Sequence, residues 1–403
     1  MKKYYVDLHI QSRYTASATK DITVKNLARQ ARIKGLNIIG TGDCLHPKWR
    51  EELERELQYS DGIYEKEGIY FIPSVEIKDK NRVHHLIFLE TLKDFDRLYN
   101  KWKEHGKLDK IGVPTIHLDG EQITKEVFDL NGIIGPAHIF VPWESMYKSF
   151  DSINDCYGEF SSKITFIELG LSADTYMADT IRELKEKVFL SNSDNHSLNT
   201  LGRECNEFFL EKPTFEEIRK ALENKGGRKV TLNVGLDPRV GKYYLSACIK
   251  CHSRYRYEDA TRLKWKCEKC GGIIRKGVKD RVSELSSYKK PKHPEFRPPY
   301  IHMLPLSEII KMCYPHANNK EVKERKNGLI ERFGSELSIL LHVNISELCK
   351  ADEKIGEVLE KIRNGKLNFV PGGGGKFGEP TFDEVDEDLL FYKPKFTQRR
   401  LFE

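Results

Sequence analysis

The sequence has no apolar run of about 18 or more residues, the length that a membrane-spanning helix requires. Its first residues, 1–7, contain no apolar segment followed by a small-residue cleavage site, which a secretory signal peptide would show. We therefore expect a cytoplasmic protein. A chain of 403 residues is long enough for two or three domains with a substantial core.

Cysteine is sparse and odd in number. There are nine cysteines, of which four stand in two close pairs and five are scattered. Without a secretion signal, this usage predicts reduced thiols and one metal site rather than a disulfide framework.

Charge of one sign is concentrated in one segment. The net charge is +6, but residues 239–292 hold 16 Lys and Arg against 5 Asp and Glu, a local charge of +11. The rest of the chain has 51 basic and 56 acidic residues, a charge of −5. A basic segment on a slightly acidic body predicts a surface for a polyanion. A solvated, Lys-rich face is the alternative.

Short apolar runs alternate with helical patterns through the first 235 residues. Seven runs predict strands, at 2–9, 36–43, 69–76, 83–89, 133–138, 164–168 and 188–196. Helical patterns are at 24–34, 51–57, 92–105, 123–130, 173–187 and 214–224. This alternation predicts a parallel sheet with both faces covered. Six of the runs have His, Asp or Glu at or just past the C-terminal end, which is the active face of a β/α barrel.

The residues at these ends, together with a His at the start of the run 83–89, are candidate metal ligands, because imidazoles and carboxylates together suit zinc, manganese or iron. They predict a cluster of two or three ions that could grip a phosphate oxygen and lower the pKa of a bound water. The predicted ligands are His9, Asp43, Glu76, His85, His138, Asp194 and His196, with Asp194, Glu76 and His85 as the catalytic set. His84 competes with His85 for one role, Glu168 is a ligand or a partner of a ligating His, and Cys44 is a soft ligand or a buried structural thiol.

Several of these stretches resemble the motifs of the PHP (polymerase and histidinol phosphatase) superfamily. They are Asp7-Leu8-His9-Ile10-Gln11-Ser12, Thr41-Gly42-Asp43, Val75-Glu76, His85-Leu86, Ala137-His138 and Ser193-Asp194-Asn195-His196. The resemblance covers roughly residues 1–235 and implies an α/β fold, a distorted (β/α)7 barrel with a multinuclear metal site and phosphoesterase chemistry. It favours His85 over His84. The chain departs from the family at Gln11, where a His is usual, and at Asp43, which replaces the His of Thr-Asp-His.

Residues 236–290, which we call the four-cysteine module, contain two Cys-x-x-Cys pairs. Cys248 and Cys251 precede Cys267 and Cys270 at a spacing that predicts one tetrahedral structural zinc site in a small, zinc-ribbon-like fold. Basic and aromatic residues alternate beside these pairs, a pattern that fits phosphate contact and base stacking. The alternative is that Tyr255, Tyr257 and Trp265 form the small core of the module. The candidate DNA contacts are Arg254, Arg256, Lys264 and Lys266, together with Ser12, Arg13 and Tyr14 just past the first strand.

Residues 291–403 predict a helical C-terminal region. A Pro-rich connector at 289–299 precedes helical patterns at 306–313, 319–333 and 345–362. The glycine run Pro371-Gly372-Gly373-Gly374-Gly375 lacks the Gly-x₄-Gly-Lys-Ser/Thr spacing of a nucleotide-binding loop and predicts an ordinary loop.

The order of barrel, four-cysteine module, Arg297-Pro298-Pro299-Tyr300 and the glycine run resembles the endonuclease Q family of DNA-repair nucleases. Gly40-Thr41-Gly42-Asp43, Ile167-Glu168-Leu169-Gly170-Leu171-Ser172 and Ser193-Asp194-Asn195-His196 are characteristic of that group. The resemblance implies an endodeoxyribonuclease that cleaves 5′ of deaminated bases (uracil, hypoxanthine, xanthine) or abasic sites in single- or double-stranded DNA. It would use zinc at the four-cysteine site and two or three divalent ions (Zn, Mg or Mn) in the barrel. A replication clamp is a candidate partner.

Two other functions fit parts of the sequence. A PHP-type small-molecule phosphatase would share the barrel motifs but would need neither the basic segment nor the four-cysteine module. A non-catalytic nucleic-acid-binding protein with a decayed barrel is the second alternative, and Gln11 is the residue that favours it.

Overall fold

The computed structural model describes residues 1–394. The strands are, in chain order, β1 Lys2–Asp7, β2 Ile38–Gly40, β3 Gln58–Ser60, β4 Ile63–Lys66, β5 Ile69–Ile72, β6 Ser74–Lys78, β7 His84–Phe88, β8 Ile133–Pro136, β9 Phe166–Glu168, β10 Val188–Leu190, β11 Cys205–Leu210, β12 Lys229–Gly235, β13 Ala247–Cys248, β14 Ile274–Arg275, β15 Tyr300–His302, β16 Asn368–Val370 and β17 Glu379–Thr381. The α-helices are α1 Val24–Lys34, α2 Pro47–Glu56, α3 Leu92–Trp102, α4 Gly120–Phe128, α5 Met146–Ser149, α6 Ile153–Tyr157, α7 Thr175–Ala178, α8 Phe215–Leu222, α9 Tyr257–Arg262, α10 Val278–Leu285, α11 Leu306–Cys313, α12 Asn319–Phe333, α13 Ile345–Ala351 and α14 Glu353–Arg363.

The strands up to β10 form a distorted α/β barrel, as the sequence predicted. β1, β2 and β5 pair in parallel within an eight-stranded sheet of order β15-β12-β11-β1-β2-β5-β4-β3. β6, β7 and β8 form a second sheet, and β9 and β10 form a parallel pair. A parallel bridge between Ile10 and Asn195 joins the segment after β1 to the segment after β10. The ends of β1 and β10 therefore lie side by side.

The expectation of an entirely parallel sheet is wrong for part of the barrel. The run 69–76 is two strands in different sheets, because Pro73, which cannot donate a ladder hydrogen bond, separates β5 from β6. β6 and β7 are antiparallel, since the turn between Lys78 and His84 is too short for the crossover that parallel strands need. β11 is antiparallel to both β1 and β12.

Several helices have the predicted bounds. α1 begins after Thr23, whose side chain accepts a hydrogen bond from the Asn26 amide, and ends at Gly35, whose φ of 92° suits glycine. α11 and α12 also span the predicted residues. The 345–362 pattern is two helices, because Asp352 has an extended backbone and caps α14. The 173–187 pattern is only α7 followed by short turns.

The three regions of the chain interlock. β15, which follows the Pro-rich connector, pairs in parallel with β12 of the barrel sheet. The buried ion pair of Lys34 and Glu336, at 3.1 Å, joins α1 to the C-terminal region. The glycine loop lies against the four-cysteine module, where the Leu245 amide donates to the Gly372 carbonyl at 3.0 Å. Because the regions share a sheet and buried contacts, these contacts do not mark where one domain ends and the next begins. The boundaries 1–235, 236–290 and 291–403 stay a prediction.

Among residues 1–394, no helix is both long enough and apolar enough to cross a membrane.

Candidate metal centre

Glu76 lies between two groups of potential ligands at the mouth of the barrel. Its Oε1 atom is 2.6 Å from Nδ1 of His84 and 2.9 Å from Nε2 of His138. Its Oε2 atom is 3.2 Å from Nε2 of His9, and Oδ1 of Asp194 is 3.5 Å from the same nitrogen. In each group the ligand atoms lie within 4.8 Å of one another. Each group can therefore surround one ion, and Glu76 can bridge the two.

The strand order explains why residues far apart in the chain meet here. The ends of β1, β2, β8 and β10 are followed by His9 and Gln11, by Asp43, by His138, and by Asp194 and His196. Glu76 and His84 reach the same mouth from an antiparallel hairpin, in which Lys78 pairs with His84. The barrel end collects imidazoles and carboxylates, as β/α barrels commonly do.

Glu168, at the end of β9, holds two of these histidines in place. Its carboxylate lies 2.9 Å from Nδ1 of His9 and accepts a hydrogen bond from the His138 backbone amide at 2.8 Å. The Asn192 side-chain amide donates to the other oxygen at 2.9 Å. A carboxylate on Nδ1 directs Nε2 of His9 towards Glu76 and Asp194, which is how ligating histidines are usually oriented. We infer that Glu168 positions a ligand.

Three of the predicted ligands have left-handed backbone conformations. The φ angles are 49° for Asp43, 27° for His138 and 43° for Asp194. Such conformations are unfavourable for residues other than glycine and concentrate at functional sites. Each aims its side chain into the mouth immediately after a strand has ended.

Asp43 has one bound and one free oxygen. Its Oδ2 atom accepts hydrogen bonds from the Ser12 amide at 2.9 Å and the Thr15 hydroxyl at 2.7 Å. Its buried Oδ1 atom has no hydrogen-bond partner. Burial raises the pKa of this carboxyl, although the hydrogen bonds from Ser12 and Thr15 oppose the shift. The free oxygen is suited to a cation.

Gln11 occupies the centre of the cluster. Its side-chain amide nitrogen donates to Glu76 Oε2 at 2.6 Å and to Asp194 Oδ1 at 3.2 Å. The Thr15 hydroxyl donates to its carbonyl oxygen at 2.9 Å. Gln11 therefore contacts Glu76 and Asp194, the two carboxylates that form a ligand group with His9.

The charges of the cluster favour bound cations. Burial would lower the pKa of His9, but the carboxylates of Glu168 and Glu76 outweigh it and raise that pKa. Burial would raise the pKa of Glu76, but His9 and His84 outweigh it and hold that pKa well below its usual range. A site that raises the pKa of an imidazole in this way is also a site that attracts divalent cations.

Two predicted ligands, His85 and His196, belong to neither of the two ligand groups around Glu76. His85 projects away from the cluster, and His84 takes the place beside Glu76 that the sequence analysis gave to His85, since successive residues of a strand face opposite sides. His196 lies at the rim, with Nδ1 3.7 Å from Asp194 Oδ1 and a side chain that is 42% exposed. Cys44 is buried and its thiol lies 2.9 Å from the Thr41 hydroxyl, outside both ligand groups.

The cysteines of the four-cysteine module form a second cluster. Cys248 Sγ is 3.5 Å from Cys270 Sγ, and Cys251 Sγ is 3.6 Å from Cys267 Sγ. Zinc–sulfur bonds of about 2.3 Å in a tetrahedron place the sulfurs about 3.8 Å apart. A Cβ atom on Gly272 would approach two of the sulfurs to 3.0 and 3.3 Å. The residues fit a closed zinc site with four thiolate ligands.

The predicted DNA contacts in the four-cysteine module differ in whether their side chains are free or bound to other residues. Lys264 and Lys266 are exposed, whereas Arg256 pairs with Asp388 at 2.7 Å. Arg254 donates to the Pro371 carbonyl at 3.1 Å.

Near the metal centre, the predicted contacts pack against barrel residues. Ser12 is buried against Asp43. Tyr14 stacks on His46 with ring centroids 4.1 Å apart, and Arg13 pairs with Glu52. Along the chain, Tyr14 and His46 are within five residues of the candidate ligands His9 and Asp43.

The aromatic residues of the module pack against one another and against a lysine, and their predicted role in base stacking stays a prediction. Tyr255 is 1% exposed and belongs to the module's core. Trp265 and Tyr257 meet edge to face at 5.9 Å, and the Lys276 ammonium lies 5.2 Å from the Trp265 ring centroid. Trp265 therefore has a structural contact and a cationic neighbour.

Comparisons with known proteins find chains of similar sequence and structure. Residues 305–366 match the family described as the MJ0043 C-terminal domain. The uncharacterized protein MJ0043 of Methanocaldococcus jannaschii is 45% identical over 296 residues, 70% of this chain. The chain spans 37% of the length of that relative.

Two solved structures are similar over nearly the whole chain. The lesion-specific endonuclease PfuEndoQ from Pyrococcus furiosus is 44% identical, with a TM-score of 0.90 over 96% of this chain and 98% of that one. A structure of endonuclease Q with a 27-mer duplex substrate that has an abasic lesion at the active site is 43% identical. Its TM-score is 0.90, over 98% of this chain and 100% of that one.

Proposed function

Since this chain belongs to the endonuclease Q family, we propose that it is a metal-dependent DNA-repair endonuclease. It hydrolyses the phosphodiester on the 5′ side of a deaminated base (uracil, hypoxanthine or xanthine) or an abasic site and leaves 3′-hydroxyl and 5′-phosphate ends. The observation that carries this proposal is the position of Glu76 between two groups of ligand atoms. Paired metal sites of this kind serve in-line cleavage of phosphate esters.

The residues at the mouth divide into two sets. His9, Asp194 and one oxygen of Glu76 would hold one divalent ion, and His84, His138 and the other oxygen would hold a second. Asp43, with its free Oδ1, and His196 at the rim would bind a third ion or contact the substrate. Bound zinc, magnesium or manganese ions would supply Lewis acidity towards the scissile phosphate and a low pKa for a nearby water.

The protein's own contribution is orientation. Glu168 fixes the ring of His9 and the backbone of His138, so both Nε2 atoms face Glu76. Ser12 and Thr15 occupy one oxygen of Asp43 and leave the other free.

The DNA would run from the mouth towards the four-cysteine module. We propose that zinc bound by the four cysteines shapes this module, and that its exposed Lys264 and Lys266 contact phosphates without reading sequence. The endonuclease Q complex with an abasic duplex supports DNA as the ligand. A damaged base is weakly paired, so extruding it costs less than extruding an intact one. A replication-clamp partner and a cytoplasmic location stay predictions.

The test uses end-labelled duplexes that contain uracil, hypoxanthine, an abasic site or no lesion, with Mg²⁺ or Mn²⁺ supplied. We expect one cut on the 5′ side of each lesion and none in the intact duplex. Hydrolysis of a phosphomonoester without cleavage of any lesion duplex would instead assign the chain to the small-molecule phosphatases.

Asp194→Asn keeps the size of the side chain and removes its negative charge. This variant should lose cleavage and still bind the uracil duplex in a gel-shift assay. The matched control is Asp129→Asn, since the Asp129 carboxylate is exposed and pairs only loosely with Lys125 at 3.6 Å. Full activity of Asp194→Asn would refute the assignment of the site.

A further inference from the structure

A further ligand cluster, separate from the metal centre and from the four cysteines, lies on the opposite side of β7 from the metal centre. It consists of Asp79, at the turn after β6, His85 in β7, and Cys156 in α6. His85 Nε2 is 3.3 Å from Asp79 Oδ2. One ligand atom from each of the three residues, Sγ in the case of Cys156, lies within 4.8 Å of the other two. Asp79 and His85 are fully buried and Cys156 is 4% exposed.

Two atoms of this cluster are buried without a hydrogen-bond partner. Asp79 Oδ1 accepts hydrogen bonds from the Asn81 and Val83 amides, both at 2.8 Å, but Asp79 Oδ2 accepts none. His85 Nε2 also has no hydrogen-bond partner, although it lies 3.3 Å from that oxygen. Buried polar atoms are rarely left unpaired, so each such atom calls for an explanation.

The other side of the His85 ring is held in place. Its Nδ1 atom is 2.8 Å from the hydroxyl of Tyr157, which is itself fully buried. With Nδ1–H donating to this hydroxyl, Nε2 carries a lone pair and lies 3.3 Å from Asp79 Oδ2. In that arrangement two electron-rich atoms stand close together in the core unless a cation binds both. Ligating histidines usually have their second ring nitrogen fixed in this manner.

We propose that Asp79, His85 and Cys156 bind a zinc ion that is distinct from the ions at Glu76 and in the four-cysteine module. The distance between Nε2 and Oδ2 supports this, because bonds of about 2.0–2.2 Å in a tetrahedron place two ligand atoms about 3.4 Å apart. A thiolate, an imidazole and a carboxylate together select zinc over magnesium or calcium. Three protein ligands leave the fourth position to a small ligand such as water.

Binding requires the thiol of Cys156 to release its proton. Burial raises the pKa of this thiol well above its ordinary value in the absence of an ion. Zinc replaces the proton on sulfur, and the proton passes to solvent. The affinity of the site for zinc should therefore rise with pH.

A nucleophilic role for the same three residues does not fit. The thiol is almost completely buried, and its raised pKa disfavours the thiolate that a nucleophile needs. No substrate could reach the sulfur without local unfolding. A structural ion needs no such access, because it can bind as the chain folds.

The ion would connect the β6–β7 hairpin to α6. Asp79 and His85 belong to the hairpin that presents Glu76 and His84 on its opposite face, and Cys156 is distant from it in the chain. The inferred ion would therefore brace the support of the metal centre without contacting DNA.

The experiment compares zinc content in the full-length protein and two cysteine variants. Cys156→Ser should contain about one zinc per chain less than the wild type, since a hydroxyl is a poor zinc ligand. Cys205→Ser is the matched control, because Cys205 is also buried but belongs to none of the ligand groups in residues 1–394. It should keep the wild-type zinc content. Equal zinc content in the wild type and Cys156→Ser would overturn the proposal.

A second measurement needs no variant of the cluster. Wild-type protein refolded with cadmium-113 should show one resonance from the four-cysteine site and another at higher field from a site with a single thiolate, because each sulfur ligand deshields cadmium. If every resonance other than that of the four-cysteine site comes from cadmium bound only by nitrogen and oxygen ligands, then Cys156 binds no ion.

Discussion

The imidazoles of His84 and His85 project from opposite faces of β7 into two separate clusters. Nδ1 of His84 lies 2.6 Å from Glu76, and Nε2 of His85 lies 3.3 Å from Asp79. Successive side chains of a strand alternate between its faces, so only one of two adjacent residues can reach the barrel mouth. The two neighbours should therefore respond differently to the same substitution.

His84→Ala should reduce lesion cleavage by at least about 100-fold, since even residues that only orient a ligand often contribute 10–100-fold. Its melting temperature should change little, because the side chain is at the edge of the mouth and 15% exposed. His85→Ala should instead lower the melting temperature, since it leaves the Tyr157 hydroxyl unpaired in the core. Cleavage rates and thermal unfolding of both variants provide the test. A larger loss of cleavage in His85→Ala than in His84→Ala would reverse the assignment.

Gln11→His should strengthen metal binding at the barrel mouth. The Gln11 amide already contacts Glu76 and Asp194, and an imidazole there would add a nitrogen ligand that transition metals prefer to an amide. We expect half-maximal cleavage at a lower Mn²⁺ concentration than in the wild type, measured by titration after treatment with a chelator. Gln11→Glu is a useful comparison, because it adds charge without adding nitrogen. An unchanged Mn²⁺ requirement in Gln11→His would mean that the side chain lies outside the ions' reach.

The sequence was informative wherever local chemistry decided the structure. Thr23 and Gly35 delimit α1 at the predicted residues, and the two Cys-x-x-Cys pairs do assemble into one cluster. The strand ends placed His9, Asp43, His138 and Asp194 at one mouth, because parallel strands that follow one another in a barrel end at the same side.

The sequence was not informative where the structure depends on which strands pair. The choice between His84 and His85 requires the register of the β6–β7 hairpin, and both faces of β7 are largely buried, so hydrophobic alternation gave no signal. Pro73 was the one visible sign that the run 69–76 is two strands. The approach of Cys156 to Asp79 joins distant segments, and no local pattern announces it.

Glu204 should make stability fall as pH rises from acid to neutral. Burial raises the pKa of this fully buried carboxyl from 4.5 to about 7, although the Leu236 amide and the Ser191 hydroxyl donate to it. Between pH 4.5 and 7 the unfolded chain has released this proton while the folded chain retains it, so the free energy of unfolding decreases as pH rises. The free energy of unfolding should fall by about 3 kcal/mol over this pH range, since each unit of pKa difference contributes about 1.4 kcal/mol.

Glu204→Gln isolates this contribution, because the amide cannot ionise and keeps an oxygen for the Leu236 amide. The variant should unfold at a higher temperature than the wild type at about pH 8, and the difference should shrink towards about pH 5. Melting curves of both proteins at several pH values measure this difference in melting temperature. The same difference at both pH values would show that Glu204 does not titrate in this range.

Cys267→Ser should lower both the melting temperature and the affinity for DNA. Cys267 Sγ lies 3.6 Å from Cys251 Sγ and 3.1 Å from the Tyr255 hydroxyl, so the loss of one sulfur disturbs the zinc site and the core of the module. Structural zinc sites contribute directly to folding. Cys313→Ser, which changes a thiol outside every ligand group described in residues 1–394, is the control. Unchanged melting and DNA binding in Cys267→Ser would remove the structural-zinc assignment.

Arg297 joins the Pro-rich connector to the barrel through a buried ion pair. Its Nη2 atom is 2.9 Å from Asp179 Oδ1, both side chains are almost completely buried, and its guanidinium lies 3.3 Å from the Phe189 ring centroid. Nη1 donates to the Lys187 carbonyl at 2.6 Å. Phe189 belongs to β10, the strand that leads to Asp194. Through its contact with Phe189, Arg297 thus connects the connector to the strand that leads to a proposed metal ligand.

Arg297→Met keeps most of the side-chain length and leaves Asp179 buried without its main partner. We expect a loss of about 3–5 kcal/mol in the free energy of unfolding, since removing one member of a buried ion pair leaves an uncompensated charge. Urea unfolding measures this loss, with Lys290→Met as the control, because Lys290 is exposed on the same connector. Since β10 should lose part of its support, cleavage should also become more sensitive to temperature in Arg297→Met than in Lys290→Met. Equal unfolding free energies for the two variants would mean that the connector is held by its backbone contacts rather than by this ion pair.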